Sequence, residues 1–380
     1  MSAERNASGE STIYRDHVGR WHGNVSMGVK AGGVRDRRHV SGERRADVVA
    51  KVRQLEQRRD EGVLTTTGRT TVAAWLTHWL DSIAARKVRP STLDGYGSLI
   101  RVRIIPALGH HRLDRLQPEH LERFYAAMTA EGLSGATVLK MHRVMSRAFT
   151  VAVQRGRVAR NVCRLVDAPS VVRREVRPLT AAEARALLQT AKGQRNAARW
   201  TVALSLGLRQ GEALGLPWAA VDLDVGTLTV RQALQRQRGV GLVIVEPKSA
   251  AGHRTITLPP SLRDALRVQR VEQAAERLAA GSEWADHRLV FAQVNGRPVD
   301  HSADYAAWKA LLRAAGVRDA RLHDARHTAA TLLLQQGVPA RVAMEILGHS
   351  QISLTLNTYS HVVPELARDA ALRMEKALWG

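Results

Sequence analysis

RLHDARHTAATLLLQQGVPARVAMEILGHSQISLTLNTYSH, residues 321–361, decides how this chain is read. It divides into three short helical segments whose polar residues sit at the joints, where apolar packing does not account for them. The run from Asp324 through Leu334 has helical spacing. His323, Arg326 and His327 fall within one turn, Ala330 and Leu334 continue a stripe, and Gly337 stops it. Val342, Ile346 and Leu347 form a second short face broken by Gly348, which leaves His349 just past a helix end. Leu354 and Leu356 lead on to Tyr359, which stands between a Thr and a Ser rather than inside an apolar run.

Taken singly, each residue has a plain structural reading. Tyr359 serves as a core anchor, His323 and His349 as cap and turn residues, and Arg326 as a solvated charge. Zinc would need ligand spacings that are missing: there is no HExxH, no CxxC, and Cys163 is the sole cysteine. Together the residues suit another chemistry, because Arg and His can grip a phosphate while a phenol attacks it.

On these residues the chain resembles the tyrosine recombinases, or phage-type integrases. The HxxR box is His323-Asp324-Ala325-Arg326, the LGH box is Leu347-Gly348-His349, and the nucleophile segment TLNTYSH holds Tyr359. Upstream, Gly207-Leu208-Arg209-Gln210-Gly211-Glu212 resembles the family's first arginine box, and Lys248 in EPKSAAGHRTITLP matches its β-hairpin lysine. The likeness runs in order from about Leu179 to His361. Ala325 departs from the larger apolar residue common in relatives, which would loosen packing under the box but removes no chemistry.

Composition agrees with this reading. The 380 residues suffice for two or three domains, and 57 Lys or Arg against 35 Asp or Glu leave a net charge of +22. That charge repels itself unless a polyanion is the partner, and nucleic acid is the first candidate, although genomic base bias also yields basic, alanine-rich chains. One cysteine allows no internal disulfide, and the amino terminus lacks a signal-type apolar core. With no apolar run of 18 residues, the expectation is a soluble, cytoplasmic protein with no membrane partner.

The expected fold is mainly α and multidomain. Residues 1–62 form a small module of three strands (near Thr12–Tyr14, Trp21–Ser26 and Arg37–Val40) and one helix from about Glu43 to Arg59. Ser41 caps that helix, and Val48, Val52 and Leu55 make its inner face. A Thr-rich linker, 63–70, leads to a wholly helical domain at 71–170. There Trp75 and Trp79 pack in the core, Ser91 caps a helix over Tyr96–Ile105, and Pro106 with Gly109 ends it. Residues 1–60 hold 13 basic against 8 acidic side chains and residues 64–170 hold 16 against 7, so both modules are basic. A second linker, 171–178, precedes an α+β catalytic domain at 179–361, which opens on the capping box Thr180–Glu183. In it, Gly226–Val230, Leu242–Val245 and Arg254–Leu258 form one small antiparallel sheet, and Arg209 pairs with Glu212. The tail, 362–380, carries an apolar stripe for docking on its own subunit or the next.

The resemblance implies the rest. The first module would bind arm-type DNA and the helical domain core-type DNA. Tyr359 would attack the scissile phosphate, forming a 3′-phosphotyrosine and releasing a 5′-hydroxyl. Arg209 and Arg326 would carry the charge on the non-bridging oxygens, and His323 would accept or relay the tyrosine proton. His349 would bond to the phosphate and Lys248 would protonate the leaving oxygen, with no cofactor and no metal. The partners implied are double-stranded DNA at core and arm attachment sites, a homo-tetramer on that DNA, an excisionase and a host DNA-bending protein. The function would be integration and excision of a mobile element in a bacterial host. A dimer resolvase, a type IB topoisomerase-like enzyme and a non-catalytic DNA-binding regulator are the competing readings.

Overall fold

Ile13, Val25, Met27 and Val40 alternate with polar neighbours, and that period of two sets the first sheet. In the computed structural model, which describes residues 11–29, 35–60, 70–171, 177–247, 252–348, 371–372 and 374–379, the sheet is antiparallel. Its strands are β1 (Thr12–Arg15), β2 (Trp21–Val29) and β3 (Arg35–Gly42), in that order, with a bulge between Ser26 and Val29. Helix α1 (Arg45–Asp60) covers one face with Val48 and Val52. A Cβ on Gly23 would lie 2.6 Å from Val52, so only glycine lets β2 approach α1 this closely. Ser41 belongs to β3 and does not cap α1, because the strand pairing His22↔Ser41 already engages its backbone.

The helical part of the same unit starts at α2 (Val72–His78), capped by Thr71, and continues through a wide turn over Trp79–Ala84. Trp75 and Trp79 are both 3 % exposed, and the Trp75 indole donates to the Ala148 carbonyl at 3.1 Å, so both tryptophans are core residues. Helix α3 (Pro90–Leu99) begins at Pro90 with Arg89 as its cap residue, which puts Ser91 inside the first turn instead of at the cap. Pro106 does not end this helix. The chain widens to i→i+5 bonding over Ile100–Ile104 and carries on as α4 (Ile105–Leu108), stopping at Gly109. The wider turn accommodates the missing proline N–H and the bulk of its ring. Helices α5 (Pro118–Ala130) and α6 (Gly135–Gln154) complete the core. Cys163 lies in that core, and burial pushes its thiol up to about 12.

The chain divides into two compact units, residues 1–173 and 174–380. The second opens with α7 (Ala181–Ala191), where the Thr180 hydroxyl accepts from the Glu183 N–H and the Glu183 carboxylate accepts from the Thr180 N–H. Next come α8 (Ala198–Thr201), a wide turn over Val202–Leu206, and α9 (Gln210–Leu214). Strands β4 (Val221–Asp222) and β5 (Thr227–Val230) follow, then β6 (Ala233–Gln237), β7 (Gly241–Val245) and β8 (Arg254–Thr257). One sheet has the order β4-β5-β8, while β6 and β7 form a separate hairpin. The expected single sheet is thereby corrected: Leu242–Val245 pairs with ALQRQ, a strand whose alternation is too polar to stand out in sequence. Helices α10 (Pro260–Ala280), α11 (His301–Ala314), α12 (Leu322–Gln335) and α13 (Ala340–Leu347) close the unit. On α13 the buried residues are Ala343 and Leu347, whereas Val342 is exposed, so the inner face is rotated from the expected one. Residues 371–372 and 374–379 are helical, with Leu372, Met374, Leu378 and Trp379 exposed. The first linker lies almost wholly outside the described residues, as do 172–176 of the second.

Candidate active site

Gly207 stops the apolar segment Val202–Leu206 in the left-handed conformation, φ 60° and ψ 32°, and so turns the chain sharply into Arg209. Arg209 precedes α9, and the Glu212 carboxylate accepts its backbone N–H at 3.1 Å. Glu212 also accepts from Arg209 Nη1 at 2.6 Å and from Arg254 Nη2 at 2.8 Å. Glu212 and Arg254 side chains are each 7 % exposed, while that of Arg209 is 44 % exposed. Burial by itself would raise the Glu212 carboxyl, but the Arg254 hydrogen bond and charge, followed by those of Arg209, hold it below the usual range.

The HDAR segment forms the first turns of α12. Asp324 accepts the Arg321 backbone N–H at 2.8 Å and pairs with the Arg321 guanidinium, which anchors the helix start. Arg326 is 3 % exposed and donates Nη1 to the Gly207 carbonyl at 2.8 Å, joining this turn to the arginine turn. Ala325 is 1 % exposed in a core shared with Trp200 and Trp308. His323 is at the surface and makes an edge-to-face contact with His327, ring centroids 5.0 Å apart. Desolvation by neighbouring atoms and then the Arg326 charge hold the His323 pKa below the ordinary value, with Arg209 adding to the effect. At neutral pH its imidazole is therefore uncharged and able to accept a proton.

Leu347, on α13, packs in the cluster of Ala329, Ala330 and Leu334 from α12. The helix ends at Gly348 in the left-handed region, φ 67°, one residue before His349. Two carbonyls at this end accept from arginines: Ile346 from Arg254 Nε at 2.7 Å, and Gly348 from Arg209 Nη2 at 3.0 Å. Cationic groups at a helix C-terminus satisfy carbonyls that have no partner within the helix. Beside Arg209 is a cleft of about 490 Å³, with Glu212, Leu234, Pro247, Gly252, His301 and Gly348 among its lining residues.

The fold thus brings Arg209, His323 and Arg326 together. Lys248, His349 and Tyr359 lie outside the described residues; Pro247 and Gly348, which precede Lys248 and His349 in sequence, both line the cleft beside Arg209. Sequence reading passed over Arg254. A signal was there to be used: Arg254 is in phase with Ile256 and Leu258, both buried, which puts a charge on an inward face where it needs a carboxylate. It also passed over Arg199 and Asp304, 2 % and 4 % exposed, which pair through two hydrogen bonds of 3.1 and 3.0 Å. Gln210, the residue after Arg209, donates to Asp304 at 3.0 Å and to the His301 carbonyl at 2.8 Å, so this buried pair steadies the start of α9. Among the described residues, no group of three or more His, Cys, Asp or Glu is arranged to hold a metal ion, and no helix is long and apolar enough to cross a membrane.

Residues 177–365 match the phage integrase family, and residues 71–129 match the phage integrase N-terminal SAM-like domain. An integrase of Saccharopolyspora erythraea is 40 % identical, over 99 % of this chain and 98 % of its own length. The integrase of transposon Tn1549, solved in complex with a circular intermediate DNA, superimposes with a TM-score of 0.68 at 24 % identity. That match covers 80 % of this chain and all of the solved one. A lambda integrase tetramer bound to a Holliday junction gives a TM-score of 0.56 at 17 % identity, over 90 % and 96 %. At such identities the two structures speak for the fold alone.

Proposed function

Because the chain belongs to the phage integrase family and is a tyrosine-type site-specific DNA recombinase, we propose that Tyr359 opens the DNA strand at a site built by Arg209, His323 and Arg326. The phenol oxygen bonds to the scissile phosphorus, the bond to the 5′ oxygen breaks, and a 3′-phosphotyrosine remains with a free 5′-hydroxyl. The phosphodiester energy is kept for rejoining to another strand. Arg209 and Arg326 offset charge on the non-bridging oxygens, His323 takes the phenol proton, His349 bonds to the phosphate, and Lys248 protonates the leaving oxygen. A free phenol has a pKa of about 10 and attacks poorly at neutral pH, so the clustered positive charge and the neutral His323 are what the reaction needs.

The observation that carries this reading is the joining of two separate sequence boxes: Arg326 Nη1 holds the Gly207 carbonyl at the turn that aims Arg209. The basic totals of residues 1–60 and 64–170 support assigning the first module to arm-type sites and the helical domain to core-type sites. On the outer face of the first sheet, Tyr14, His22 and His39 stack, offering polar groups suited to base edges. The Tn1549 and lambda integrases were solved on DNA, the latter as a tetramer, which supports DNA as partner and a tetramer as the working assembly; the cytoplasm of a bacterial host is the place proposed for that work. An excisionase and a host DNA-bending protein complete the proposed set for excising the element.

The test is covalent trapping. On a half-site nicked near the scissile bond, where the freed fragment diffuses away, the protein should accumulate as a denaturant-resistant 3′ adduct mapping to Tyr359, with EDTA present or absent. Tyr359→Phe should bind this DNA but form no adduct. An adduct at another residue, or one that needs a divalent metal, would sink the mechanism.

A further inference from the structure

Arg254 is a buried basic side chain that, like the more exposed Arg209, touches both Glu212 of the arginine turn and the end of α13. Its Nη2 bonds to Glu212 at 2.8 Å, its Nε to the Ile346 carbonyl at 2.7 Å, and its Nη1 to the Gly252 carbonyl at 3.5 Å. All three ends of the guanidinium are directed to protein acceptors, and the side chain is 7 % exposed, so it is not placed to touch DNA. Arg209, on the same carboxylate, is 44 % exposed.

Charge counting shows what this arrangement does. A Glu212–Arg209 pair alone is neutral and offers little to an incoming phosphate. With Arg254 added, the cluster carries one net positive charge, and the exposed member, Arg209, is where an anion can reach it. Arg254 also begins β8, six residues after Lys248 in sequence, and it grips α13 at Ile346, two residues before Gly348 and three before His349.

We propose that Arg254 is a positioning residue of the recombination site, one that satisfies Glu212 so that Arg209 is free to share its charge with the scissile phosphate. The same grip holds the turn leading into His349 at a set distance from Arg209. The inference rests on Arg209 being a phosphate ligand.

The experiment measures single-turnover cleavage of a half-site at saturating DNA, DNA affinity by gel shift, and thermal unfolding, all with the full chain. Arg209→Ala comes first: loss of cleavage is expected, and wild-type cleavage would overturn the site reading itself, with Arg254 falling alongside it. Given that loss, Arg254→Met should slow cleavage by about 10²-fold, the scale of a misplaced catalytic group, while affinity stays within about 3-fold. The double variant Arg254→Met with Glu212→Gln should cleave about 10-fold faster than Arg254→Met alone, since no uncompensated carboxylate then competes for Arg209. Two merely structural losses would add instead. Arg254→Lys, which keeps a charge beside Glu212, serves if the Met variant fails to fold, and should retain cleavage between that of the wild type and of Arg209→Ala. A folded Arg254→Met that cleaves at the wild-type rate, a double variant no faster than the single, or a folded Arg254→Lys as inactive as Arg209→Ala overturns the proposal and leaves the Arg209 assignment standing.

Discussion

Replacing Gly207 by alanine strikes the joint between the two arginine segments, and its cost follows from the local geometry. Gly207 has φ 60°, and an added Cβ would lie 2.6 Å from Leu347 Cδ2, 3.2 Å from the Ala329 Cβ and 3.4 Å from Arg326 Cγ. The left-handed backbone costs an L side chain about 1 kcal/mol. Leu347 and Ala329 are 0 % and 2 % exposed and have no room to retreat, so overpacking adds roughly 1–3 kcal/mol. Gly207→Ala should therefore destabilise by roughly 2–4 kcal/mol. Gly193→Ala is the internal control: its φ is 78°, but nothing lies within 4 Å of the added Cβ, so only the backbone cost of about 1 kcal/mol applies. Urea unfolding of the full chain, followed by tryptophan fluorescence, separates the two. Half-site cleavage by Gly207→Ala should fall further than the folded fraction does, because the Gly207 carbonyl orients Arg326. Equal stability losses in the two variants, within about 0.5 kcal/mol, would refute the packing argument.

Asp304→Ala leaves Arg199 buried without its carboxylate and should cost roughly 3–5 kcal/mol in the same urea assay; a loss below about 1 kcal/mol would mean that water reaches the pair. His327 is held down to about 4, chiefly by burial and next by the His323 charge, against 6.5 unperturbed. Since the unfolded chain takes up that proton first, stability is fully present above pH 6.5 and declines as pH falls toward 4, by at most ~3 kcal/mol. Urea midpoints between these limits should show the decline, and His327→Leu should remove most of it; an unchanged slope in the variant would assign the effect elsewhere. If Lys248 protonates the leaving oxygen, Lys248→Ala should cleave normal DNA about 10²-fold more slowly. A substrate with sulfur at the bridging 5′ position should restore the rate, whereas equal defects on both substrates would make Lys248 a groove contact.

Much of this protein was legible in one dimension because its signals are local. The Thr180–Glu183 box and the stripe of α12 through Ala330 and Leu334 each depend on residues within a few positions of one another, where backbone geometry leaves few choices. The family motifs likewise marked Arg209, His323 and Arg326, and the fold does bring these three together. Local signals misled where another element decided the outcome. Ser41 and Ser91 have the chemistry of caps, but strand pairing claims the first and Pro90 starts the helix ahead of the second. Leu242–Val245 was read into the wrong sheet because its partner, Ala233–Gln237, is polar in sequence and becomes a strand only through pairing.

What the tertiary structure alone decided is the matching of charges. From sequence, Glu212 had one evident partner, Arg209, three residues away; that Arg254, 42 positions on, shares the carboxylate is a consequence of the fold bringing the first residue of β8 to Glu212. Nor does sequence reveal that Arg199 meets Asp304 across 105 positions, or that Ile346 and Gly348 end their helix against two arginines. A buried charge must find its counter-charge wherever chain folding brings one, and that search runs through space, whereas caps, turns and periodicities are settled within a few bonds of the residue itself.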